Sequence, residues 1–165
     1  MVFKLSHRRV SIKLDIMARR RIIKKGSERA AGLVEIDALT ALSDSQLMWP
    51  LVKYHMCNVL DDADTIWNAG RYAPASIRIK LTDGPQHVAF VKLQVEMSPV
   101  KAAVHHDVLA GPSTDSMRAV ARVKCVVCHG EWLSVAVNED NVQFIEIKTI
   151  SSPSYVAWRR IKVYA

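Results

Sequence analysis

"DALTALSDSQLMWPLVKYHM", residues 37–56, decides the fold class, because a strand-like period gives way there to a helical one. Between Leu33 and Leu60 the apolar residues fall at 36, 39, 42, 47, 48, 51, 52, 56, 59 and 60. Most are three or four apart, the spacing of one helix face. Ser43 with Gln46 forms a capping-box pattern from which a helix can restart. Pro50 predicts a break or kink near residues 48–49. "DDADTIWNAG", residues 61–70, reads as a further short helical turn, acidic at its start and with Gly70 just past its end.

On either side the period is two. Val10, Ile12, Leu14 and Ile16 alternate with Ser11, Lys13 and Asp15, the pattern of a half-buried strand. Ile77, Ile79 and Leu81 form a second such run and Val91, Leu93, Val95 and Met97 a third, with "TDGP" between them as the turn of a hairpin. "VKAAVHHDVLAGPSTDS" (100–116) is a weaker strand with a loop. Residues 117–128 and 132–137 suggest another hairpin around "CHGE", and 142–150 and 155–164 close the chain on either side of "SSPS". The expected fold class is α+β: a mainly antiparallel sheet with two or three helical segments in the N-terminal half. The expected organisation is a single domain, 1–165, with a basic hairpin region at 1–29.

The formal charge of +7 is unevenly placed. Residues 1–29 carry a net +8, with ten Lys or Arg against Asp15 and Glu28, and the remainder is close to neutral. Such asymmetry points to an anionic partner, nucleic acid or an acidic lipid surface. Arg8, Arg9, Arg19, Arg20, Arg21, Lys24 and Lys25 are the candidate contacts, with Ile22 and Ile23 as apolar anchors. Arginine forks phosphate oxygens in pairs and lysine adds point charge. The same residues also suit a solvated hairpin tip or a nuclear-import address. No apolar run is long enough to span a membrane, and charges interrupt every candidate signal-peptide core. A reducing compartment is therefore expected, and three cysteines suggest no disulfide framework.

The chemistry-bearing motifs are sparse. Cys125, Cys128 and His129 in "CVVCH" match the spacing for haem attachment, but strand-patterned sequence surrounds them and the two thiols should diverge. The same residues lack the second ligand pair of a zinc site. His105 and His106, adjacent on a strand, should face opposite ways. The carboxylates of "DDAD" fail the calcium-loop spacing. No phosphate loop, nucleophile elbow or HExxH is present, so the expectation is no enzyme, no cofactor and no metal.

The element order carries one resemblance. "VSIKLDIMARR", a basic turn, "DALTALSDSQLMWPLVKYHM" and "SIRIKLTDGPQHVAFVKLQVEM" look like the globular domain of rhabdovirus matrix proteins, in particular the small ones of plant rhabdoviruses, over roughly residues 8–98. The resemblance implies a non-enzymatic virion protein that self-assembles and links a ribonucleoprotein to the inner face of an envelope. Its partners would be further copies of itself, viral ribonucleoprotein or RNA, and an anionic membrane touched peripherally. It would reside in the virion and in the host cytoplasm or nucleus. The proline-rich budding motifs of animal members, PPxY and PTAP, are absent. A nucleic-acid-binding coat or movement-type protein is the alternative.

Overall fold

Alternate-residue burial organises the computed structural model, which describes residues 33–43, 54–96 and 101–165. In β4 (Ala75–Leu81), Ala75, Ile77, Ile79 and Leu81 are buried while Ser76, Arg78 and Lys80 face outward. β9 (Phe144–Ser151) does the same with Ile145, Ile147 and Thr149. One apolar face per strand is what an antiparallel sheet with one wet side requires.

Two sheets meet through those faces. The first holds β1 (Glu35–Ile36), β10 (Ala157–Tyr164), β5 (Gln86–Glu96) and β8 (Trp132–Val142) in that order, with β3 (Trp67–Asn68) also paired to β10. The second runs β2 (Ala38–Ser43), β4, β9, β6 (Lys101–Gly111) and β7 (Arg118–Cys128). All pairings are antiparallel. The result is a β-sandwich whose core is filled by Val, Ile and Leu from both inner faces, with Trp67 and Trp158 side by side in the first sheet.

This corrects the α+β expectation. Residues 35–36 and 38–43, predicted as helix, are strands, and residues 61–70 run through bends into β3. The helical spacing misled because the large apolar side chains of β2 are not its buried ones. Leu39 and Leu42 are exposed, and small Ala41 turns inward. The short helical turns η1 (Met56–Val59) and η2 (Thr114–Ser116) are 3₁₀. The second half of the predicted helix, 44–53, lies outside the described residues, as does the strand predicted at 10–16.

The predicted hairpins are corrected as well. β4 and β5 exist where expected, but the turn between them crosses from the second sheet to the first, and they do not pair. β7 to β8 and β9 to β10 cross in the same way. Among the described residues the one long hairpin of neighbours in sequence is β6–β7, pairing from Lys101↔Cys128 to Ala110↔Arg118. Gly111 ends β6 where a Cβ would lie 2.7 Å from the Ser116 carbonyl oxygen, so the turn through η2 closes tightly only on glycine.

Two central strands bury the core, so truncating one of their side chains is costly. Ile147→Ala, at a fully buried position of β9, is expected to lower stability by about 2–5 kcal/mol. Urea unfolding followed by tryptophan fluorescence measures it. An exposed control, Lys148→Ala, should change stability by less than about 0.5 kcal/mol.

Candidate functional site

Strand register determines which loops share an end of the sandwich. Ala157 opens β10 opposite both Asn68 of β3 and Glu96 of β5, and Ala75 opens β4 opposite Thr149 near the end of β9. The connections 69–74 and 152–156 therefore emerge side by side.

Backbone hydrogen bonds lock these two loops together. The Ala69 N–H donates to the Val156 carbonyl at 2.9 Å, and the Val156 N–H donates to the Arg71 carbonyl at 3.1 Å. Gly70 takes the left-handed conformation, φ 69°, and its N–H donates to Asn68 Oδ1 at 2.8 Å. The side chains flanking this clamp are Tyr72 and Tyr155. Their rings meet edge to face, centroids 4.8 Å apart at 82°, although they are 60% and 45% exposed. Arg71 is exposed beside Tyr72, and Ser152 and Ser154 precede Tyr155. Two aromatics, braced nearly at right angles, thus stand open to solvent at this end of the sandwich.

The other end-of-strand features are structural. Arg160 donates to the carbonyls of Ala63 and Asp62 at 2.8 and 2.7 Å, and Arg159 reaches Asp64 Oδ1 at 2.6 Å and Glu96 Oε2 at 2.5 Å. The "DDAD" loop is thus held by the protein's own guanidinium groups. Lys162 adds contacts to Glu35 and Asp62.

The predicted chemistry-bearing residues are dispersed. His106 faces inward and is buried, while His105 points outward and lies 3.4 Å from Asp107, the divergence expected of strand neighbours. Arg122 holds the Asp107 carboxyl below its usual range, chiefly by hydrogen bonding. Cys125 and Cys128 sit three residues apart on β7, roughly 10 Å at strand rise. Cys57 is exposed on η1, and His129 lies 3.6 Å from Glu96. Among the described residues no three His, Cys, Asp or Glu could hold a metal. Arg8, Arg9, Arg19, Arg20, Arg21, Lys24 and Lys25 lie outside the described residues. The tyrosine pair escaped the sequence reading. Its only trace is a tyrosine inside each of two turn-rich stretches, "AGRYAP" and "SSPSY".

No protein-family model and no curated protein matches the sequence. Solved structures do match the fold. A family 32 carbohydrate-binding module of a glycoside hydrolase from Clostridium perfringens, in complex with GalNAc-β-1,3-galactose, superimposes with TM-score 0.67 at 14% identity, covering 78% of this chain and all of that one. The family 32 module of C. perfringens NanJ, in complex with galactose, gives 0.61 at 16% identity over 80% of this chain and 100% of its own. The module of AlyQ, in complex with 4,5-unsaturated mannuronic acid, gives 0.66 at 14% identity over 79% and 97%.

These likenesses overturn the matrix resemblance, which rested on a helix and a hairpin that the described sandwich does not have. Self-assembly, ribonucleoprotein and RNA binding, membrane contact and the coat or movement-type alternative fall with it. The expectation of no enzyme agrees with them, since the matched modules are non-catalytic binding domains.

His106 gives the core a pH signature. Burial, reinforced by the neighbouring His105, lowers its pKa from 6.5 to about 3. Between those values the unfolded chain binds a proton there that the folded chain does not, so stability falls as pH falls. Denaturation midpoints across pH 7 to 4 should drop more steeply for wild type than for His106→Leu, by at most about 1.4 kcal/mol per pH unit.

Proposed function

We propose that the described sandwich is a non-catalytic carbohydrate-binding module that receives a sugar ring on Tyr72 and Tyr155. The observation that carries the reading is the exposed tyrosine pair, clamped at one end of a fold whose solved examples hold sugars. A pyranose presents C–H groups on one face and hydroxyls at its rim. A tyrosine ring covers the first and its O–H addresses the second. Because the clamp between Ala69, Arg71 and Val156 is already closed, little loop entropy is lost on binding. Arg71 and Ser154 neighbour the two tyrosines in sequence and carry polar groups of the kind the rim hydroxyls of a seated ring would pair with.

An open platform of two rings buries little of its ligand, so affinity for one sugar unit should be weak, about millimolar, or roughly −4 kcal/mol. NMR titration with galactose, GalNAc-β-1,3-galactose and unsaturated mannuronate tests the reading. Shifts should centre on residues 69–74 and 152–156, and the sugar should be recovered unchanged. Tyr72→Ala and Tyr155→Ala should each weaken binding by about 1 kcal/mol, roughly fivefold. Wild-type affinity in both variants, or shifts centred elsewhere, would rule the platform out.

A further inference from the structure

Between the sheets, behind the loop that carries Tyr155, lies a small void of about 10 Å³ whose lining includes His106, Thr149, Ser152, Glu96 and Trp158. His106 comes from the second sheet and Trp158 from the first, with ring centroids 4.8 Å apart at 58°. Both residues are 2% exposed. His106 Nδ1 lies 3.1 Å from Thr149 Oγ1. His106 Nε2 and Trp158 Nε1 are both buried without a hydrogen-bond partner.

Two orphaned nitrogens on residues that line one void point to a shared ligand, because leaving either unpaired is costly. The ligand must be small, since a void of this size is at the lower bound for a single water, roughly 10–15 Å³. It must also be able to accept and donate. An indole N–H only donates, whereas a neutral imidazole donates at one nitrogen and accepts at the other. One molecule satisfies both rings simply when His106 carries its proton on Nδ1, donating to Thr149 Oγ1, and leaves Nε2 as an acceptor.

We propose that a single structural water occupies this void, accepting from Trp158 Nε1–H and donating to His106 Nε2. It joins the two sheets by a polar bridge in an otherwise apolar layer. Its second hydrogen has Ser152 and Glu96 on the lining to receive it. The bridge also fixes which imidazole nitrogen is protonated. It does not depend on the sugar-binding reading, and its test needs no ligand.

NMR of the full chain decides the matter. Long-range ¹H–¹⁵N correlations should show His106 as the Nδ1–H tautomer. The Trp158 indole proton, assigned through Trp158→Phe, should give a direct dipolar cross-peak to water. His106→Gln, whose amide both donates and accepts, should keep that cross-peak, and His106→Leu should lose it with the backbone spectrum otherwise preserved. An Nε2–H tautomer, or an indole proton with no water contact in the folded wild-type chain, overturns the proposal whether or not the variants fold.

Discussion

A strand that is apolar on every second residue has to meet another apolar face along its length, and in this chain it meets one in the opposite sheet. β4 and β9 carry the inner face of one sheet, β5 and β10 that of the other, and the connections between sequence neighbours mostly pass across the core rather than along a sheet edge. That routing brings strands distant in sequence into register and gathers their connecting loops at the ends of the sandwich. β10 shows how local irregularity serves it. A register shift between Trp158 and Arg160 lets Trp158 and Ile161 both point inward. Arg159 and Arg160, consecutive in sequence, are then both available to the acidic 61–64 loop and Glu96. Strict alternation would have sent one guanidinium into the core.

What alternation encodes, the sequence displays. The strands at 77–81 and 91–95 and the opposite facing of His105 and His106 follow from the period alone. Pairing is not encoded in that way. "TDGP" has the chemistry of a tight turn whether the next strand folds back beside β4 or crosses to the other sheet. The choice depends on which surface the strand buries, and that surface is contributed by residues far along the chain. The N-terminal misreading has a related cause. Among the described residues β2 is an edge strand that exposes Leu39 and Leu42, and their spacing mimics a helix face that buries nothing.

The candidate site was hidden for a different reason. Neither Tyr72 nor Tyr155 is unusual in its own stretch, where each looks like a tyrosine in a turn. Their meaning arises from two hydrogen bonds between loops that are remote in sequence and adjacent only after β3, β5 and β10 have paired. The motifs that did attract notice were short patterns of reactive residues. Folding disperses Cys125, Cys128 and His129 along β7 and the turn after it, and it partners the carboxylates of "DDAD" with Thr65, Arg160 and Arg159.

Charge placement bears on what kind of ligand this sandwich suits. Several of its cations are matched to carboxylates: Arg78 with Glu146, Arg122 with Asp107, Arg159 with Glu96 and Lys162 with Glu35 on adjoining strands, and Arg118 with Glu139 from the other sheet. Exposed pairs of this kind add little stability, roughly 0–1 kcal/mol each. The +8 of residues 1–29 lies in sequence apart from this body and says nothing about its loop end. At that end the exposed chemistry is two phenol rings with the Arg71 guanidinium and two serine hydroxyls beside them in sequence. Such a surface discriminates by shape, stacking and hydrogen bonding.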